Sequence, residues 1–394
     1  MSLPSWRAQQ SLVILSEAVI SFLTLFLIKS GVAEVRILGL FALLYLGGGL
    51  MVRLHLSRIL HPMIVPAGLA ALAAAGALIS IVTPHPEAIV LAAIGVLTLK
   101  DLATSGAVGD VHRAADRIGM PPTRLVTTGM LIGALLMIAV LWGGAQVLTF
   151  SPALWIGLVA AAATSVLYLL LRGSIEIRRS KSRVVIPRDV RLTCTLSMVY
   201  NAVSFVGKRF LLPIAVAHAA LTLNLGPDTY TSLGLILSLL VLLGLATRGL
   251  SGKMANPRVM MYGGFFSGLS LWGILSASIA FLEMTWGLAL FAVGLLLMIE
   301  ITAKVWTLGF IEVLRLEARR PDSPDKHNTE LAYFGYFMEM KCYGASIGFL
   351  VAVGALLLQL SVIGPSVVLG VGLGVWVLSQ TRVSNIKPSP ALPV

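Results

Sequence analysis

The stretch Trp286-Gly-Leu-Ala-Leu-Phe-Ala-Val-Gly-Leu-Leu-Leu-Met-Ile-Glu300-Ile-Thr-Ala-Lys304-Val-Trp-Thr-Leu-Gly309 decides the fold. No charge interrupts it from Trp286 to Ile299; then Glu300 and Lys304 enter, and the apolar character resumes. A run of about 20 mostly apolar residues matches a bilayer core of roughly 30 Å. It is too long and too continuous for a barrel strand, which alternates and is near ten residues. Each charge inside such a helix costs a few kcal/mol unless it meets a partner or a water-filled space. Glu300 and Lys304 are one helical turn apart and can pair on one face.

The same pattern recurs outward along the chain. Apolar stretches fall at about 10–28, 37–53, 63–82, 88–108, 125–147 and 152–171, and then at about 192–215, 230–247, 259–281, 286–309, 331–359 and 366–380. That is about twelve spans by the bilayer-length criterion, an all-α polytopic membrane protein. The hydrophobic fraction is 57% and the charged fraction 12%, and so few charges cannot cover that much apolar surface in water. The net charge of +12 belongs to cytoplasmic loops and not to a nucleic-acid surface, since no aromatic-interleaved basic stretch accompanies it. The first stretch contains Glu17 and lacks a small-residue cleavage site, so it is read as a helix that stays in place.

Orientation follows from Lys and Arg. One set of connecting segments holds Arg7, Arg53, Arg58, Arg113, Arg117, Arg124, the 172–191 loop, Arg248, Lys253, Arg258, Arg315, Arg319, Arg320, Lys326, Arg382 and Lys387. The other holds only Lys29 and Arg36. This bias puts both termini in the cytoplasm of an inner membrane. The basic loop RGSIEIRRSKSRVVIPRDVR (172–191) separates a six-helix bundle (1–171) from a second one with a short tail (192–394).

Charges interrupt several spans. Glu17 lies in the first, Lys100 and Asp101 in the fourth, Lys208 and Arg209 in the seventh, Glu300 and Lys304 in the tenth, Glu339 and Lys341 in the eleventh. Lys304 and Lys341 fall near the expected cytoplasmic boundaries, where snorkelling can hold a lysine. Adjacent residues point about 100° apart on a helix, so only one of each adjacent pair need face a shared space. The cations Lys100, Lys208, Arg209, Lys304 and Lys341 slightly outnumber the anions Glu17, Asp101, Glu300 and Glu339, which suits a small anionic or zwitterionic solute. Buried carboxylates can take up and release protons, because their charged form is costly there.

An internal repeat accompanies the charges. Arg53-Leu-His-Leu-Ser-Arg58-Ile-Leu-His-Pro62 and Arg248-Gly-Leu-Ser-Gly-Lys253-Met-Ala-Asn-Pro257 both fit R-x4-[RK]-x3-P. They follow the second and eighth stretches, as two related halves would require. Six plus six helices, a basic central loop, inside termini and these paired basic turns resemble the major facilitator superfamily. The resemblance implies a secondary transporter working by alternating access, with spans 1, 4, 7 and 10 lining a central cavity. On that reading Lys100, Lys208, Arg209 and Lys304 bind solute, Glu17, Asp101, Glu300 and Glu339 carry protons, and Arg58 and Lys253 gate the cytoplasmic side. Ser57 and Gly252 stand where the family's turn carries an aspartate.

Other motifs lead elsewhere. Gly344-Ala-Ser346-Ile-Gly348 matches a nucleophile elbow, but within an apolar helix its glycines read as a packing face. Met338 and Cys342 are too few ligands for copper. Cys194 and Cys342 lie far apart, and neither a disulfide nor a metal is expected. No phosphate-binding loop occurs, so no nucleotide or other cofactor is expected. The expected partners are a small solute and the bilayer, not nucleic acid, with the chain a monomer. Efflux of amphipathic compounds or siderophore-like chelates fits the same architecture. A lipid flippase or a non-transporting assembly factor is the alternative from another class; an enzyme would need a catalytic constellation, and none occurs. Reporter fusions at Arg183 and Val394 are expected to report the same, cytoplasmic compartment; a periplasmic signal at either would overturn the topology.

Overall fold

The computed structural model describes residues 24, 27–28, 31–56, 185–223, 236, 239, 243, 256–280, 286–319 and 326–380. Helix makes up 92% of the structure, and no strand occurs among the described residues. Six long helices carry the architecture: α1 (Glu34–Leu56), α2 (Arg188–Leu223), α3 (Pro257–Ala280), α4 (Trp286–Ala318), α5 (Lys326–Leu357) and α6 (Gly364–Gln380). They correspond to the second, seventh and ninth to twelfth stretches read from the sequence. Four are long and apolar enough to cross a bilayer, including Gly287–Ala318 and Ala332–Leu357. Glu17, Arg58, Lys100, Asp101 and Lys253 lie outside the described residues, as does most of the 172–191 loop.

Local chemistry sets the helix ends. Asn256 caps α3: its Oδ1 accepts from the backbone N–H groups of Arg258 (3.0 Å) and Val259 (3.5 Å). Pro257 takes the first helical position, where a missing N–H costs nothing. The segment before α1 ends at Gly31, whose φ of +79° favours a residue without Cβ. There the Val32 N–H reaches the Leu27 carbonyl and the Gly31 N–H reaches Ile28, closing the helix end. The same pair of bonds ends α5, from Leu360 to Ala355 and from Gln359 to Leu356. Within the helices the hydroxyls of Thr193, Ser267, Ser270, Ser278 and Thr307 donate to carbonyls one turn back. Where hydrocarbon offers no partner, a hydroxyl has to be satisfied by its own backbone.

Contacting pairs fix the helix directions. Along α1 and α5, Arg53 meets Glu339, Ala42 meets Ser346 and Phe41 meets Phe349, so the two run antiparallel. Gly344 and Gly348 of α5 lie on the backbones of Met198 and Ala202 of α2, which makes these two parallel. Lys208 faces Glu300 and Tyr200 faces Trp306, so α2 and α4 are antiparallel. Gly264 packs on Trp306 and Gly309 on Met261, setting α3 against α4. Gly370 meets Leu269 and Gly374 meets Phe265, setting α6 against α3. Thus α2, α3 and α5 point one way and α1, α4 and α6 the other. This is the parity expected of the seventh, ninth and eleventh spans against the second, tenth and twelfth.

Small residues hold α5 at the centre. Its Gly344 and Gly348 are the glycines of the elbow-like motif, and they form a packing face: a Cβ at either would collide with an α2 carbonyl. The other side of α5 meets α1, where Ser346 Oγ donates to the Ala42 carbonyl at 2.8 Å and Phe349 stacks on Phe41 and Tyr45. Cys342 packs near Gly48; both cysteines are free and buried. Among lipids, which are as apolar as leucine, such close approach and hydrogen bonding supply the association energy. Leu43, Leu46 and Leu50 of α1 and Val368, Leu369, Val375 and Trp376 of α6 remain exposed, a surface suited to hydrocarbon and not to water.

Gly348→Ala is expected to separate α5 from α2 at a cost of about 1–3 kcal/mol, as overpacking does. Gly354→Ala on the same helix meets nothing within 4 Å and is expected to be neutral. Thermal unfolding of the detergent-purified variants checks the contrast; equal melting temperatures would refute the packing account.

Candidate functional site: a glutamate shared by two lysines

The site begins with a missing N–H. Pro213 cannot donate to the Arg209 carbonyl four residues earlier, and its ring crowds that carbonyl. The preceding segment, Gly207–Leu211, is a π-helix, with the Leu212 N–H reaching the Gly207 carbonyl. The released Arg209 carbonyl accepts instead from the Thr24 hydroxyl. Gly207 lies so close beneath the Trp272 ring that a side chain would not fit. Such widened turns often mark functional positions, and this one carries Lys208 and Arg209.

The two cations diverge. Lys208 reaches across to α4, where its Nζ lies 3.3 Å from Glu300 Oε2. Lys304, one turn further along α4, places its Nζ 3.0 Å from Glu300 Oε1. One carboxylate therefore serves two ammonium groups, one on each oxygen. The three side chains keep exposures of 32% for Lys208, 24% for Lys304 and 18% for Glu300, so the cluster is only partly buried. The pairing expected of Glu300 and Lys304 is present. Helix α4 itself continues past Lys304 to Ala318. The apolar stretch ended at Gly309 in the sequence reading because the next turns mix apolar and charged residues, and Glu312 and Arg315 pair within the helix.

Arg209 turns toward α1. It is buried, its Nε donates to the Tyr45 hydroxyl at 3.1 Å, and its guanidinium lies 6.0 Å from the Phe205 ring. Tyr45 meets Phe205 edge-on at 4.7 Å. Lys341 of α5 approaches the same Phe205 ring, with its Nζ 5.2 Å from the centroid. It lies ten residues into the apolar helical stretch Ala332–Leu357. Glu339 takes a different place, 3.8 Å from the exposed Arg53 at the end of the α1–α5 seam.

Aromatic residues form one flank of the cluster. Trp306 packs on Tyr200 (4.9 Å), Phe265 (5.6 Å) and Phe310 (5.0 Å). The Tyr200 hydroxyl and the Trp272 indole N–H are buried without a hydrogen-bond partner among the described residues. Sequence reasoning missed Thr24, Tyr45, Phe205 and Tyr200, which carry no charge. The one available signal was Pro213, four residues after Arg209.

No protein-family model and no curated protein sequence matches the chain. Solved structures do resemble it. The nucleoside transporter NupG superposes with a TM-score of 0.61 at 14% identity, over 97% of this chain and 100% of that one. The human organic anion transporter MFSD10 (TETRAN) gives 0.54 at 14% identity, over 95% and 98%. A bacterial homologue of the iron transporter ferroportin, in an inward-facing state, gives 0.51 at 16% identity, over 96% and 100%. All three are membrane transporters and none is an enzyme. The chain therefore shares its fold with these solved structures over nearly its whole length, and four of its described helices are long and apolar enough to cross a membrane.

Proposed function

We propose that the protein is a secondary transporter that carries a small anionic or zwitterionic solute across an inner membrane by alternating access, with both termini cytoplasmic. The observation that carries this reading is Glu300 bridging Lys208 and Lys304 between two membrane-crossing helices. A charge cluster at that depth is expensive. Two lysines from different helices converge on one carboxylate, and an anionic group could compete with that carboxylate for them. The residues 1–171 and 192–394 would form the two halves that move against each other around the site. Arg53 and Glu339, at the end of the α1–α5 seam, would then stand at the cytoplasmic side, beside Arg58 and Lys253.

Glu300 also offers a route to coupling. A solute anion that binds Lys208 and Lys304 competes with the carboxylate for the same ammonium groups. Displaced from them, Glu300 loses the charges that keep it ionised and can take a proton. Anion and proton would then bind together and leave together. Glu17 and Asp101 remain candidates for the same duty on the neighbouring spans.

Glu300→Gln removes one negative charge from the cluster. It is expected to tighten anion binding and abolish anion-driven proton movement, while the two unneutralised lysines lower stability by about 1–3 kcal/mol, discounted for partial exposure. Proteoliposomes loaded with a pH-sensitive dye and challenged with a series of small organic anions test this. Unchanged proton movement in the Glu300→Gln protein would show that coupling does not pass through this carboxylate. Lys208→Met and Lys304→Met are each expected to weaken binding of the same anions about tenfold, the loss of one charge-assisted contact.

A further inference from the structure

Arg209 is held at two points from the first part of the chain. Its carbonyl accepts from the Thr24 hydroxyl, and its Nε donates to the Tyr45 hydroxyl at 3.1 Å. Thr24, Tyr45 and Arg209 are all buried. The preceding residue is held from elsewhere: Lys208 Nζ lies 3.3 Å from Glu300 Oε2 on α4. Two adjacent residues are thus drawn to different neighbours, and both belong to the π segment Gly207–Leu211.

The backbone explains why this turn needs Thr24. In a regular helix the Arg209 carbonyl would accept from the N–H four residues later. That residue is Pro213, which has none. A buried carbonyl without a donor is costly in a helix bundle, and the Thr24 hydroxyl takes the place of the missing N–H. A side chain that enters the ladder in this way bends a helix or widens its turn. The start of the turn has no freedom to adjust, because Gly207 lies against the Trp272 ring with no room for a Cβ. The adjustment therefore falls on the residues after Gly207, Lys208 first among them.

We infer that Thr24 is a positioning residue for the charge cluster: by satisfying the Arg209 carbonyl it keeps the 207–211 turn wide, and the wide turn carries Lys208 onto Glu300. Without that donor the turn closes toward regular helix. One residue of register turns a side chain by about 100°, enough to take the Lys208 ammonium off the carboxylate. On the two-half reading proposed above, Thr24 and Tyr45 stand in one half and the turn in the other. Parting of the halves would then remove the donor and loosen Lys208 from Glu300 in one step. That consequence rests on the two-half reading; the positioning role of Thr24 does not.

Labelling of the purified full chain with an amine-reactive reagent, followed lysine by lysine by mass spectrometry, tests the inference. Lys208 is partly exposed, and an ammonium held by a carboxylate reacts slowly. Thr24→Val keeps the side-chain shape and removes the donor; it is expected to speed labelling of Lys208 several-fold. Thr24→Ser keeps the donor and is expected to label as the wild type does. Lys304, which meets the same carboxylate from within α4, is expected to keep its rate in both. Pro213→Ala lets the helix supply its own N–H to the carbonyl. It is expected to speed Lys208 as Thr24→Val does, and the two changes together are expected to do no more than either alone. Should Thr24→Val not yield folded protein, Thr24→Ala makes the same comparison. A wild-type rate at Lys208 without the Thr24 hydroxyl, an equal acceleration in Thr24→Ser, or additive effects with Pro213→Ala would overturn the inference. So would a joint acceleration of Lys208 and Lys304, which would mean that Thr24 only holds the bundle together. No solute is present, so the outcome is independent of what the cluster binds.

Discussion

Away from water, only other groups of the protein can neutralise Glu300, Lys208 and Lys304 within a helix bundle. Water screens such charges at a surface, where an exposed ion pair contributes little. Inside a membrane bundle each charge needs a partner at contact distance. The arrangement of α2 against α4 answers that need. Their antiparallel contact brings Lys208 of one to Glu300 of the other, and the helical repeat brings Lys304 to the remaining oxygen. Neither helix satisfies its charges alone, so the site and the α2–α4 contact are one feature.

The geometry on α2 depends on backbone chemistry as much as on charge. Pro213 denies the Arg209 carbonyl its usual donor, and the π segment absorbs the strain. The Thr24 hydroxyl fills the vacancy and ties the first span to the seventh. The widened turn sends Lys208 and Arg209 to opposite neighbours. In this way the turn before Pro213 connects α1, α2, α4 and Thr24 of the first span.

Close packing supplies the rigidity that such a site needs. Gly344 and Gly348 let α5 lie directly on α2, and Ser346 anchors its other side to α1. Because α5 touches both helices, any opening between α1 and α5 must break the Arg53–Glu339 pair and slide the stacked rings of Phe41, Tyr45 and Phe349. These contacts are local and replaceable, unlike the glycine seam, which has no room to slip. The seam is therefore the part expected to move as a unit.

The sequence by itself determined the class of the molecule. Twenty-residue apolar runs can only be helices in a bilayer, because backbone groups must be satisfied within the segment; the six described helices lie where those runs lie. The pairing of Glu300 with Lys304 was also legible, since a four-residue spacing fixes a shared helix face, and so was the packing role of Gly344 and Gly348. Tertiary structure alone decided the rest. Lys208 and Arg209 are neighbours in the chain, but nothing in their order says that one faces α4 and the other α1. Hydropathy fades beyond Lys304 although α4 continues to Ala318 with charges that pair within the helix. The aromatic seat of Lys341 and the Thr24 donor come from residues 136 and 185 positions away along the chain. Periodicity reports which face of a helix a residue occupies, and only the packed bundle determines what that face meets.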